Sequence, residues 1–411
     1  MVAARRSTRP SWVGMLAAAV LAGGCGGAAT APRASAPAAI STGMPRTPAD
    51  SPTPVAVPSL TPLATPVPAA SLCSVAPALS SWSVARLAAQ LVVVPADEND
   101  VSGVAAAVDQ GAGGVILFGS QAPQDLGRQI QALVAGSPQG VGPLVMTDEE
   151  GGTVQRMANL VTPLPWAATM SVTMSPAAVS QLAEQVAQQM RADGITMDLA
   201  PVLDLASGPG PDALHTDGPR SFGLDPEVAT SYGLAFAQGL EAGGVVPVVK
   251  HFPGEGDASG NTDDGPASTP PLAQLESSDL RPFEAAINAG LPAVMVGDAS
   301  VPGLSQGPAS LSSAAIVGLL RQQLGFNGLV ITDSLSAEAI SALHLSVPQA
   351  AVESIAAGAD MVLFQSTDPD GTFQQVVQAL VNAVSDNQIS GSVLDAAVEQ
   401  VLTAKGEGIC P

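Results

Sequence analysis

The sequence predicts an α/β fold, a single (β/α)8 barrel of the TIM type behind a disordered N-terminal tether. Three observations predict it. From about residue 75, eight short apolar runs recur: Leu91–Val94, Gly114–Phe118, Leu144–Met146, Met197–Leu203, Val245–Val249, Ala293–Val296, Leu329–Ile331 and Asp360–Leu363. Helix-like stretches rich in Ala, Leu and Gln lie between most of them, for example Pro176–Asp193, Pro226–Ala242, Leu272–Ala289 and Ser313–Leu324. Apolar strands alternating with helices indicate a parallel sheet buried on both faces, and eight such units fit a closed barrel. The third observation is that several runs end in charged groups, and in a barrel those ends converge on one mouth. A doubly wound open sheet is the alternative, but no G-x-G-x-x-G follows the first run.

The first 25 residues read as an export signal. Arg5, Arg6 and Arg9 form a basic segment, and Trp12–Ala22 is apolar but too short for an ordinary membrane span. The segment ends Leu21-Ala22-Gly23-Gly24-Cys25, small residues before a Cys as in a bacterial lipobox, so Cys25 is the expected lipidation site. Residues 26–72 are rich in Pro, Ala, Ser and Thr, cannot bury a core, and read as an extended linker. Residues 73–411 form the predicted barrel domain. Cys73 and Cys410 bracket it, and in an oxidising compartment they are expected to pair. The expected location is the outer face of the cytoplasmic membrane, with membrane contact through the lipid anchor only.

Composition narrows the function. With 46% hydrophobic residues the chain is a folded protein. Its 14 Lys+Arg against 36 Asp+Glu, a net charge of −22, argue against nucleic acid, whose phosphates require clustered cations. Three histidines leave little for a multi-His metal site, and no cofactor is expected.

The chemistry sits after the strands. The third run leads into Asp148-Glu149-Glu150-Gly151-Gly152, the fifth into Lys250-His251-Phe252-Pro253-Gly254, the sixth into Gly297-Asp298 and the seventh into Asp333-Ser334. Carboxylates beside a Lys and an Arg, without a phosphate loop, suit glycoside hydrolysis, which needs a nucleophile and an acid/base on either side of the scissile bond. Asp333 is the candidate nucleophile, with Lys250 as the cation that keeps it ionised. From the residues alone, Asp333 or Ser334 reads equally well as an N-cap of the helix starting near Ala337.

These motifs, together with Arg220-Ser221-Phe222-Gly223 and Ile331-Thr332-Asp333-Ser334-Leu335-Ser336, resemble glycoside hydrolase family 3. Within it the similarity is to the bacterial β-N-acetylhexosaminidase branch, including actinobacterial lipoproteins, and runs from about residue 82 to 405. The resemblance implies Asp333 as the nucleophile of a retaining mechanism, and Asp148, Arg156, Arg220, Lys250 and His251 as residues that bind the non-reducing sugar. It implies an amino-sugar substrate, the N-acetylglucosaminyl ends of peptidoglycan fragments. A β-glucosidase-like specificity is the alternative within the family, and a monomer is the default for a tethered barrel.

The chain departs from that branch at its acid/base. Where the branch carries an Asp-x-His pair after the Lys-His-Phe-Pro-Gly strand, this chain has Asn261 and Asp263. Glu255 and Asp298 stand where the branch often has His, and Thr153 where it usually has Arg. Three consequences stay open. Asp263 acts as acid/base with a raised pKa, helped by Glu255, Asp264 and Asp298 at the active-site rim. Or turnover is lost and the protein is a sugar-binding pseudoenzyme of the envelope. Or Glu255, Asp263 and Asp298 hold a divalent cation such as Ca²⁺. His215 and His344 match no catalytic motif and read as structural or surface residues.

Overall fold

The structure, a computed structural model, describes Leu79 and residues 81–212 and 217–406. The export signal, Cys25, the linker, Cys73, Cys410 and His215 lie outside the described residues. No helix among the described residues is long and apolar enough to cross a membrane.

Eight parallel strands close into a barrel. In chain order they are β1 (Val92–Asp97), β2 (Gly114–Phe118), β3 (Leu144–Thr147), β6 (Met197–Asp198), β7 (Val246–Phe252), β8 (Ala293–Val296), β9 (Leu329–Ser334) and β10 (Met361–Leu363). The numbers β4 (Glu149–Gly151) and β5 (Val154–Gln155) belong to a small antiparallel hairpin after β3. Around the barrel the order is β1-β10-β9-β8-β7-β6-β3-β2. Each of the eight expected runs contributes one barrel strand. Both faces of these strands are covered; Val92, Val93, Val94, Val248, Val249 and Ile331 are fully buried. That explains why the strands read as continuous apolar runs rather than alternating ones.

The flanking helices start where the sequence marks them. Ser175 accepts a hydrogen bond from the Ala178 N–H ahead of Pro176–Ala192, and Asp225 accepts one from Glu227 N–H ahead of Pro226–Ala242. Each has Pro in its first turn, where a missing N–H costs nothing. The two helices pack closely, and Gly239 is required there: a Cβ would lie 2.3 Å from the Ser180 carbonyl oxygen.

Two expected elements differ. The helix expected over Leu272–Ala289 is two helices, Leu272–Leu275 and Leu280–Asn288. The hydroxyls of Ser277 and Ser278 both donate back to the Gln274 carbonyl, competing with the helical ladder at the break. The run Met197–Leu203 is strand only over Met197–Asp198, with one later bridge at Val202 to Lys250. Pro201 has no N–H to give to the ladder.

Candidate active site

The carboxyl ends of the strands surround a cavity of about 400 Å³. Asp148, Arg156, Arg220, Lys250, His251, Asp263, Asp264 and Asp333 all line it. The sequence therefore anticipated eight residues, drawn from five segments of the chain, that the fold gathers into one space.

The floor is an ion-pair lattice. Lys250, at the end of β7, is 2% exposed; its Nζ lies 2.8 Å from Asp148 Oδ1 and 2.6 Å from Glu150 Oε1. Arg220, from the short turn Gly218–Arg220, donates to both oxygens of Glu150 at 2.7 and 2.8 Å and lies 3.2 Å from Asp217 Oδ1. Arg156 reaches Asp148 Oδ2 at 3.6 Å. Burial alone would raise the Glu150 carboxyl, but Arg220 and Lys250 outweigh it and hold it well below the usual range. Burial would likewise lower Lys250, and Asp148 and Glu150 reverse that and raise it. The lattice thus stays charged, with donors and acceptors fixed before any ligand arrives.

His251 is held from behind. Its backbone N–H donates to Asp204 Oδ2 at 2.9 Å, and its Nδ1 lies 2.7 Å from the same oxygen. Burial would lower the imidazole, but the Asp204 charge and hydrogen bond prevail and push it up to about 9. His251 is therefore a cation at neutral pH.

Asp333 ends β9. Its Oδ1 accepts the adjacent Ser334 N–H, and the following helix, Glu338–Ser341, begins after Ala337 without a side-chain cap. Capping is thus not the task of Asp333 or Ser334. Asp263 stands at the cavity edge on the loop after β7. Partial desolvation of its carboxyl and the negative charge of Asp333 raise its pKa. The loop is folded down against the segment that follows the Asp333 strand: Ala339 N–H donates to the Thr262 carbonyl at 3.0 Å and Glu338 N–H to the Asp263 carbonyl at 3.4 Å. Asn261 Oδ1 accepts the Asp263 N–H at 3.0 Å, so Asn261 shapes the turn that presents Asp263.

Glu255 and Asp298 are not rim residues, contrary to expectation. Each is 1% exposed and neither lines the cavity. After β7 the chain turns inward: Glu255 N–H donates to Asp204 Oδ1 at 2.7 Å, and Glu255 Oε1 accepts Ala299 N–H at 2.7 Å. Gly297 makes room, since a Cβ there would lie 2.1 Å from Glu255 Oε1. Asp298 Oδ1 accepts the Ser310 hydroxyl. Burial pushes Glu255 up to about 8, with Asp333 adding to the rise. Burial and Asp333 raise Asp298 well above the carboxylate range. Asp264 does lie at the exposed edge. His344 is exposed, with a left-handed backbone (φ 60°).

The cation cluster considered for Glu255, Asp263 and Asp298 does not form. Among the described residues, one group of three brings potential ligand atoms within 4.8 Å of one another, and it is Asp204, Asp217 and His251. That group is committed elsewhere: Asp204 to His251 and two backbone N–H groups, Asp217 to Arg220.

Glu150, Asp204 and Asp217 are the functional residues that sequence reasoning missed. Two signals were present. Alternation along the strand after β3 sends Asp148 and Glu150 to one face and Glu149 to the other, where Oε1 takes the Met157 N–H at 2.7 Å. Asp204 is an isolated acid in the apolar stretch Pro201–Ala206.

The site has known counterparts. The sequence profile described as Glycosyl hydrolase family 3 N terminal domain matches residues 84–404. Beta-hexosaminidase LpqI of Mycobacterium tuberculosis is 37% identical over 358 residues, spanning 84% of this chain and 88% of that protein. The solved structure of M. tuberculosis LpqI superposes with a TM-score of 0.74 at 37% identity, covering 81% of this chain and 96% of the other. The β-N-acetylhexosaminidase from Beutenbergia cavernae superposes with a TM-score of 0.73 at 31% identity, covering 79% and 99%. A barrel with this mouth, matched by the family profile along nearly all of its described length, belongs to glycosyl hydrolase family 3.

Proposed function

We propose that the protein is a glycosyl hydrolase of the hexosaminidase type, a retaining β-N-acetylhexosaminidase that removes N-acetylglucosaminyl residues from the non-reducing ends of cell-wall fragments. One observation carries the reading. Asp333 and Asp263, two carboxyls of which the second has a raised pKa, face the same cavity whose floor is the lattice of Asp148, Glu150, Arg220 and Lys250. Names borne by the relatives support the sugar.

The residues divide the work as follows. The lattice and His251 hold the sugar hydroxyls and set the reacting carbon against Asp333. The Asp333 carboxylate attacks that carbon, and the bond to the leaving oxygen breaks as Asp263 gives it a proton. Asp263, now a carboxylate, takes a proton from water, which attacks the same carbon and releases Asp333; two displacements give retention. The carboxyls of such a pair work about 5–5.5 Å apart. Asp263 must be protonated at the start, so activity falls as pH rises through its raised pKa.

The test is release of p-nitrophenol from its β-N-acetylglucosaminide between pH 4 and 7. Wild type should turn over best toward the acidic end, and both Asp333→Ala and Asp263→Asn should lose turnover while still binding the sugar. Sugar binding by wild type without turnover at any pH would instead establish the pseudoenzyme, the reading favoured by Asn261 and Asp263 standing in the Asp-x-His positions. From the sequence we further infer export, lipidation at Cys25 and a Cys73–Cys410 disulfide. Mass measurement of the mature protein with and without reduction tests all three.

A further inference from the structure

A second cavity, of about 860 Å³, opens over the ends of β1, β2 and β10 and shares Phe118 and Gln365 with the catalytic cavity. Its volume lies within the roughly 300–1,000 Å³ of pockets that enclose small ligands. None of the residues assigned to the reaction lines it. It therefore adds space beside the reacting groups without containing any of them.

Its position follows from strand order. β9, with Asp333, is followed around the barrel by β10, β1 and β2, whereas Lys250 and His251 come from β7, and Asp148 and Glu150 follow β3. The loop bearing Asp263 is bonded down at Glu338 and Ala339, and the hairpin of β4 and β5 stands after β3. A sugar pinned by its hydroxyls to the lattice, with its reacting carbon at Asp333, has the β10–β1–β2 arc left for the group attached to that carbon. The passage there is walled by Phe118, over whose ring the Arg156 guanidinium sits at 5.7 Å, and by Gln365. Gln365 is fixed at its backbone: its N–H donates to Ser336 Oγ at 2.9 Å, and that hydroxyl donates to the Gln365 carbonyl at 2.7 Å.

The lining also has a definite chemistry. Pro95, Phe118 and Pro369 offer apolar faces, and Ser120, Gln121 and Thr367 offer neutral polar groups, the mixture that suits a sugar ring. The charged members are Asp97 and Glu98, with no Lys, Arg or His among the lining residues. Glu98 is fully buried; its Oε1 accepts the Gln121 N–H, and its Oε2 has no hydrogen-bond partner among the described residues. Glu98 thus lies beneath the lining, packed against Gly119, and acts on the cavity through its charge, while Asp97 stands exposed at its edge.

We propose that this cavity holds the leaving-group sugar, and that Asp97 and Glu98 make it select a neutral, hydroxyl-rich residue over one carrying a free carboxylate. The assignment rests on the hydrolase reading above and names the other half of its substrate. A second sugar whose carboxyl is tied up as an amide is accepted; the free acid is disfavoured.

Binding decides this independently of turnover. In the Asp333→Ala background, calorimetry compares N-acetylglucosamine, N,N′-diacetylchitobiose and the disaccharide of N-acetylglucosamine with N-acetylmuramic acid, whose lactyl carboxyl is free. Thr367→Trp, at an exposed position that lines only the second cavity, should weaken both disaccharides about tenfold, roughly one decade of Kd, and leave the monosaccharide unchanged. Asp97→Asn with Glu98→Gln should tighten the acidic disaccharide relative to the neutral one by a similar factor; each replacement keeps an oxygen for the Asn99 and Gln121 N–H groups. Equal effects on monosaccharide and disaccharides, or none on either disaccharide, would overturn the assignment. Absence of turnover in wild type with these binding differences intact would refute the hydrolase and keep the cavity.

Discussion

Glu255 offers a direct measure of how the buried acids behave. Its carboxyl is pushed from 4.5 in the free side chain up to about 8, chiefly by burial. It is thus neutral in the fold and ionised in the unfolded chain across the interval between. Folding binds a proton there, so the contribution of this residue to stability is fully present below about pH 4.5 and is lost as pH rises toward 8. Within that interval, stability falls by about 1.4 kcal/mol for each pH unit, so the change between pH 5 and 7.5 is on the order of 3 kcal/mol. Glu255→Gln removes the titration and keeps an oxygen for Ala299 N–H. Melting of wild type and variant should therefore differ little at pH 5, while at pH 7.5 the variant should gain roughly 5 °C relative to wild type. Because the comparison is between two pH values, any fixed cost of the substitution cancels. A difference in Tm that is the same at both pH values would show Glu255 ionised in the fold and refute the reasoning.

Two further outcomes follow from the lattice. Glu150→Gln leaves Arg220 and Lys250 without the carboxylate they share, and should cost about 3–5 kcal/mol of stability by chemical denaturation while abolishing sugar binding. Asp204→Asn removes the charge that lifts His251 to about 9. Its imidazole should then titrate below about 7 by NMR, and sugar affinity should acquire a new dependence on pH near neutrality.

Much of this arrangement was legible because barrel geometry converts a sequence position into a spatial one. A residue just past an apolar parallel strand points to the mouth, and that rule alone assembled Asp148, Lys250, His251 and Asp333. Where the rule failed, the cause was local. Glu255 and Asp298 also follow strands, yet Glu255 is drawn inward by Asp204 and by Ala299 N–H, from segments 51 and 44 residues away. Neither separation leaves a mark near Glu255 in the chain. Glu150 and Asp217 were missed for a related reason: their task is to hold Arg220, and Arg220 arrives on a turn with no strand to announce where its guanidinium goes.

The unusual acids form one system with the reaction. Glu255 Oε2 and Asp298 Oδ2 are buried without a hydrogen-bond partner among the described residues, and both carboxyls are raised by burial and by Asp333. The two observations agree: the open oxygens are the natural seats of the protons that the raised pKa values require. Held neutral, Glu255 and Asp298 add no charge beside Asp333. Once Glu255 ionises near pH 8, Asp333 faces a second negative charge, and an ionised Asp298 would press further on Asp263. His at the same positions would be the reverse, neutral at high pH and cationic in acid, when it would draw Asp333 into a competing ion pair. Acids in place of His thus put no additional cation beside Asp333 over the acidic range. That is the range in which Asp263 keeps its proton and Glu255 supports the fold, so catalysis and stability decline together as the medium becomes alkaline.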